Sequence, residues 1–302
     1  MANTEEALEH PLGTGHLAGC LVLSKSANWN QNEADWRLML ELGRGYGLSL
    51  ADGTLAASTL TLPYGERFAW VSMVLVLPEH RRKGYATQLL RRALDDLRNE
   101  GRSAVLDATP AGREVYAQEG FRDTWGYRRY ALRASPGAYE GAPPARIAKT
   151  GVAEERAADI DVRPLAEADW HQVLALDAPA FGASRERLLR ALARRLPAAA
   201  LVAERKGEFI GFLLGRDGRE ASQLGPLVAR DADAAKALLA AALAQIAPPI
   251  YLDIVDRETA LRAWLEKRGF EFQRPFTRMV HGADRAPGDA SLVFCPAGPE
   301  LG

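Results

Sequence analysis

The run Pro78 to Leu90, PEHRRKGYATQLL, places together residue types that sit badly with one another unless a ligand joins them. From Gly84 onward the apolar spacing is helical, so a helix N-terminus is expected at the glycine. Such an end presents unpaired amides and partial positive charge. Acidic or capping side chains belong there, yet Arg81, Arg82 and Lys83 stand before Gly84, and no Ser, Thr, Asp or Asn caps it. An anion would resolve the conflict. Free amides and a glycine let backbone approach phosphate closely, and neighbouring cations supply the counter-charge. The turn therefore reads as a pyrophosphate cradle; the plainer alternative is a solvated basic loop.

Several elements must position this turn. Strand-like segments come first: CLVLSKSA, YGLSL, TLAASTLTL and AWVSMVLVL, the last ending at Pro78. Between Gly84 and Glu100, Leu89, Leu90, Ala93, Leu94 and Leu97 share one face while Arg91, Arg92, Asp95, Asp96 and Arg98 take the other, an amphipathic helix. A strand SAVLDA, a helix over Gly112–Gln118 and a strand from Phe121 to Leu132 follow. Alternating strands and helices imply an α/β or α+β sheet covered by helices.

Residues 134–159 are rich in Gly, Pro, Ala and charge without period, as a linker is. A second pass then begins. IDVRPL reads as a strand, Asp169–Asp177 and Ser184–Leu196 as helices, and ALVAERKGEFIGFLLGRDG as a hairpin turning at Lys206-Gly207. An offset of 149 carries Leu89, Leu90, Ala93, Leu94 and Leu97 to Leu238, Leu239, Ala242, Leu243 and Ile246, and Gly120-Phe121 to Gly269-Phe270. Self-similarity at that length implies two related lobes. The expected division is 1–134 for the first lobe, 135–159 for the linker, 160–283 for the second lobe and 284–302 for a Gly/Pro-rich tail.

Composition excludes several classes. The 302 residues are 47% hydrophobic with net charge −1, so no basic field points to nucleic acid. Two distant cysteines, Cys20 and Cys295, suit a reduced compartment, and no apolar run is long enough to span a bilayer. A cytoplasmic location without membrane attachment is the expectation. Five scattered histidines form no zinc-spaced pair, so no metal is expected, and no GxSxG or Cys/His set suggests a covalent nucleophile.

The strand Val74–Val76, then Pro78, then Arg81-x-x-Gly84-x-Ala86 resembles the acetyl-CoA signature of the GNAT acyltransferase superfamily. The segment LDATPAGREVYAQEGF, Leu106 to Phe121, resembles that family's strand and helix ending in Tyr and Gly-Phe. The resemblance implies two tandem mixed-sheet lobes and an acyltransferase using acetyl-CoA. It places pantetheine against Val74, Leu75 and Val76, and the phosphates against Arg81, Arg82, Lys83, Gly84, Tyr85, Ala86 and Thr87. Tyr116 would protonate the departing thiolate; otherwise it is a helix tyrosine packed on the sheet. Thr109 stands where the family commonly has asparagine, so no contact is carried over for that residue.

An amine would attack the thioester directly, with a strand amide near Val74–Val76 as oxyanion donor. No single base stands out among Asp107, Glu79, Glu66, His80, Glu33 and Asp35. NWNQNEADW, Asn28 to Trp36, mixes two tryptophans with polar groups, as acceptor pockets do. Trp29, Asn30, Gln31 and Asp35 are its acceptor candidates, against a reading in which Trp36 is helix core. The acceptor expected is a small amine, with homodimerisation left open. A non-catalytic acyl-CoA sensor and a protein N-acetyltransferase are the rival readings. In the second lobe the offset replaces the cradle by VARDADAAKALL and Tyr116 by Leu265. Aspartates there cap the helix and repel phosphate, so that lobe is expected to lack the cofactor site.

Overall fold

The computed structural model describes residues 7–133 and 159–302; of the expected linker only Asp159 falls among the described residues. In chain order the elements are β1 (Leu8–Leu12), α1 (Leu17–Ser26), α2 (Glu33–Leu42), β2 (Arg44–Ser49), β3 (Leu55–Tyr64), β4 (Phe68–Val76), α3 (Tyr85–Asn99), β5 (Ser103–Ala108), α4 (Pro110–Gln118) and β6 (Arg122–Leu132). The second series is β7 (Ile160–Pro164), α5 (Trp170–Phe181), α6 (Glu186–Arg195), β8 (Leu201–Arg205), β9 (Glu208–Arg216), β10 (Ser222–Ala229), α7 (Ala232–Leu243), β11 (Ile250–Val255), α8 (Thr259–Glu266), β12 (Glu271–His281) and β13 (Val293–Cys295).

These elements form two compact units. The first holds residues 7–124, 277–286 and 299–302, and the second holds 125–133, 159–276 and 287–298. The first unit runs β1-β2-β3-β4-β5 and is closed by Thr277–His281 of β12, antiparallel to β5. The second runs β7-β8-β9-β10-β11 and is closed by Tyr127–Leu132 of β6, antiparallel to β11. In each unit one central pair is parallel, β4 with β5 and β10 with β11.

The closing strands depart from the expected division. The expected division puts the strand to Leu132 in the first lobe and residues 160–283 in the second, yet Tyr127–Leu132 and Thr277–His281 each close the other unit. Alternating apolar residues specify which face of a strand is buried, not which edge it joins. Each closing strand carries an arginine that meets an aspartate of the strand it joins. Arg129 on β6 makes a bidentate pair with Asp253 of β11 at 2.8 and 2.7 Å. Arg278 on β12 pairs the same way with Asp107 of β5, both bonds at 2.9 Å. The offset of 149 that relates the helices also carries Arg129 to Arg278.

Cores follow the helical periodicity. Leu90, Leu94 and Leu97 of α3 pack on Val71, Leu106 and Phe121, while Leu89 and Ala93 meet Tyr46, Leu48 and Ala57. Leu238, Leu239, Ala242 and Leu243 of α7 do the equivalent in the second unit, with Phe270. The β8–β9 hairpin turns on Lys206 (φ 54°) and Gly207 (φ 80°), the two left-handed residues a two-residue type I′ turn demands.

Two expectations are corrected. CLVLSKSA is the body and C-cap of helix α1, not a strand; Leu17, Cys20, Leu23 and Ser24 recur at helical spacing and are buried. A short apolar run does not distinguish the two periods without its flanks. The tail is not merely a tail. Its apolar run forms β13 in the second unit, and in the first unit Tyr64 Oη and Trp70 Nε1 donate to the carbonyls of Leu301 and Pro299, both at 2.9 Å.

Candidate functional site

The site begins where β4 and β5 part. They pair only from Phe68–Trp70 against Ser103–Val105, and beyond that Val71–Val76 has no strand partner on the β5 side among the described residues. β3 continues along the opposite edge, but its register slips: Leu60 faces Ser72, whereas Ser58 faces Leu75. Two steps on β3 thus match three on β4, a β-bulge. Met73 takes the left-handed conformation inside it (φ 51°), and Ser58 Oγ fixes its carbonyl at 2.7 Å. A bulge bends the strand and re-aims its local groups. Nothing in the apolar run AWVSMVLVL marked Met73, because a bulge leaves no signature in hydropathy alone. Val74 and Val76 are half-buried and Leu75 buried.

After Leu77 the chain makes a short 3-10 turn (Pro78–His80) and enters α3 through Gly84, whose φ of 86° favours glycine. No side chain caps the helix. Arg81, Arg82, Lys83 and Gly84 are exposed; Tyr85, Ala86 and Thr87 are half-buried. Arg81 Nε donates to the Val76 carbonyl at 3.3 Å, and Lys83 Nζ to His80 Nδ1 at 3.2 Å. None of the three cations has a carboxylate partner among the described residues. The donor set therefore fits a phosphate: open amides, unneutralised cations, and a bare strand edge leading to them.

Tyr116 sits half-buried on α4, its ring 5.9 Å from that of Phe121. Thr109 Oγ1 caps α4 by accepting from Gly112 N at 3.3 Å, so the threonine in place of the family's asparagine has a local task. Burial pushes the Tyr116 phenol up to about 12, so it holds its proton at neutral pH.

The acceptor candidates lie in the α1–α2 connection and the first turn of α2. Asn30, Gln31 and Asp35 are buried and Trp29 half-buried. Asp35 Oδ2 accepts from Asn32 N at 2.9 Å while Asn32 caps α2, so Asp35 is engaged in a capping box. Gln31 Oε1 is buried without a hydrogen-bond partner. Trp36 is core, its Nε1 donating to Ser24 Oγ at 2.6 Å.

Geometry thins the list of bases. The Asp107 side chain is fully buried and bound bidentately by Arg278, whose guanidinium also lies 4.4 Å over the Trp70 ring. It is a structural counter-ion, and its removal from the list is a correction. Glu66 lies in the β3–β4 turn, at the far end of β4 from Val74–Val76. Glu33 is exposed and paired with Arg37. Glu79 and His80 remain beside the turn. Among the described residues no cluster of His, Cys, Asp or Glu is placed to hold a metal ion, and no helix is long and apolar enough to cross a membrane.

The corresponding place in the second unit is built differently. β10 and β11 also pair over three residues, Ser222–Leu224 with Ile250–Leu252, and then part. Here β13 takes the vacated edge: Leu227 faces Cys295 and Val228 faces Val293, while β9 holds the opposite edge. Asp231 caps α7, its Oδ1 accepting from Ala234 N at 2.9 Å. Arg205 donates to the same carboxylate at 2.7 Å and, with the amides, holds it below the usual carboxylate range.

The splayed strand pair, the bulge and the glycine-led helix stand where the sequence resembles the GNAT signature. Family models agree in both halves: one described as the acetyltransferase (GNAT) family matches residues 15–121, and one described as the acetyltransferase (GNAT) domain matches 173–295. The chain belongs to the GNAT acetyltransferases, as a tandem member with a domain of the family in each half. An uncharacterised N-acetyltransferase of Bacillus subtilis (strain 168), YitH, is 23% identical over 256 residues, covering 84% of each chain. Two solved structures share the fold. A putative acetyltransferase from Pyrococcus horikoshii has a TM-score of 0.76 at 19% identity, covering 100% of this chain and 98% of its own. A tandem GNAT protein from the clavulanic acid biosynthesis pathway has a TM-score of 0.59 at 14% identity, covering 94% and 100%.

Proposed function

We propose that the first unit transfers an acetyl group from acetyl-CoA to a small amine, and that the second unit takes no cofactor. The observation that carries this reading is the contrast in helix entry: α3 begins at an uncapped glycine behind three cations without carboxylate partners, whereas α7 begins at a capping aspartate. Arg81 to Thr87 would hold the pyrophosphate, and Val74–Val76 would pair with the pantetheine arm.

The reaction is one displacement. The amine nitrogen attacks the thioester carbonyl carbon, and the developing oxyanion accepts a hydrogen bond from a backbone N–H at the β4 bulge. Collapse breaks the C–S bond: the former amine nitrogen releases one proton to water, Tyr116 Oη gives its proton to the thiolate, and the phenolate is reprotonated from solvent. The products are the N-acetyl amide and free CoA thiol. Since alkylamines have pKa of about 10, kcat/KM should rise with pH across the neutral range until the amine is mostly free base.

Calorimetric titration with acetyl-CoA tests the assignment. One site per chain is expected, lost in Gly84→Asp, which copies the acidic turn of the second unit. Two sites, or binding retained in the variant, would sink it. Wild type is then screened against amines by thiol release. Binding without release for any amine would favour an acyl-CoA sensor, and release only with peptide N-termini or lysyl peptides a protein acetyltransferase.

A further inference from the structure

At the other end of α3 from Gly84, the first unit holds a second opening. A cavity of about 250 Å³ lies between the last turns of α3, the start of β5 and the end of β12. Leu94, Leu97 and Ala104 provide apolar wall; Arg98, Arg102 and His281 provide the ionisable groups, and no acidic residue lines it. α3 has 15 residues, so this cavity is roughly 20 Å along the helix from the glycine turn.

The polar wall is constructed for an anion. Arg102 is mostly buried and is anchored by the carbonyl of Gly65 and by Glu100, which it meets at 3.1 Å. Arg98 is exposed and bonded to Asp95 at 2.8 Å, an arrangement that contributes little and yields readily to a better partner. The terminal carbonyls of α3, which would repel an anion, are occupied: Asp96 O by Glu100 N, Leu97 O by Arg102 N and Arg98 O by Gly101 N. His281 packs 5.4 Å from the Phe121 ring, and neither ring nitrogen has a hydrogen-bond partner among the described residues.

We propose that this cavity binds a small carboxylate with an apolar body, gripped by Arg98 and Arg102 over Leu94, Leu97 and Ala104, with His281 as the third polar contact. Burial, then the charges of Arg98 on α3 and Arg122 on β6, hold the imidazole below its ordinary range, so it is neutral in the free site. The acids nearby are engaged, Asp95 with Arg98, Glu100 with Arg102 and Asp284 with Arg122 at 3.7 Å. A bound carboxylate offsets the cations and favours the imidazolium. Binding therefore takes up a proton and tightens as pH falls through the histidine range.

The test is calorimetric titration of benzoate into the full chain held at saturating acetyl-CoA, at pH 6 and pH 8. Binding about three- to tenfold tighter at pH 6 is expected. Arg98→Gln, on an exposed side chain, weakens it about tenfold at both pH values. His281→Gln keeps the pH 8 affinity and removes the gain at pH 6. Inorganic phosphate, which cannot use the apolar wall, binds at least about tenfold more weakly. Gly84→Asp leaves benzoate binding intact, so loss of the acyl-CoA site and loss of this one read separately. Absence of benzoate binding, indifference to both cavity variants, equal affinity for phosphate, or competition between benzoate and acetyl-CoA would each overturn the proposal.

Discussion

The β4–β5 opening and the β10–β11 opening start alike and end as different objects. Each follows three residues of parallel pairing and an irregularity in the strand that leads to the helix. In the first, the free edge of β4 leads to uncapped amides and unneutralised cations. In the second, β13 supplies the missing strand and Asp231 the missing anion. A fold element that needs a ligand to satisfy its backbone can satisfy it from its own chain, and the cleft is then closed by hydrogen bonds rather than by lost shape. Duplication with offset 149 accounts for the likeness; a few residues at the helix entry and a three-residue strand account for the difference.

Breaking what the two units share should have the largest effect. Arg278→Met takes the guanidinium away from the buried carboxylate of Asp107, and Arg129→Met takes it from Asp253, to which Gln223 Nε2 still donates at 3.0 Å; each should cost about 3–5 kcal/mol, read as denaturant midpoints. Pairing Arg278→Met with Asp107→Leu should recover most of that loss. If either single change is neutral, the buried pairs do not specify the strand edges.

Breaking the proposed asymmetry of function comes next. Tyr116→Phe should lower kcat about a hundredfold with acetyl-CoA affinity unchanged, since the ring stays and only the proton goes; unchanged turnover removes it as the acid. Neutralising the cradle is milder. Arg82→Gln should weaken acetyl-CoA about tenfold, with shallower salt dependence, whereas Arg230→Gln in the second unit should leave that affinity alone. The smallest effect belongs to the cap: Asp231→Ala should lose about 1 kcal/mol of stability and create no second acetyl-CoA site, because β13 still holds the strand edge. Two sites in that variant would show that charge alone closes the second cleft.

Much of this was legible before any coordinates. The face of α3 that is buried is the one its leucines mark, the hairpin turns at Lys206-Gly207 as its glycine requires, and Gly120-Phe121 and Gly269-Phe270 play matching parts, with φ of 87° and 84° and both phenylalanines buried. What escaped was pairing rather than propensity. Arg129 and Arg278 look like ordinary strand charges until their aspartates, over 120 residues away, are in place. Met73 sits in a run whose hydropathy is the same with or without a bulge. SLVFC is too short to announce a strand, and it is one only because β10 offers an edge.

The exchange of β6 and β12 bears on how the chain matures during synthesis. The first unit lacks its closing strand until Thr277–His281 has emerged, so the edge of β5 stays open while the second series of elements is being made. Open strand edges invite pairing with other chains. A fragment ending in the 134–158 region would carry the whole Arg81–Thr87 turn yet should be prone to aggregate, and supplying the remaining residues as a separate chain should rescue it.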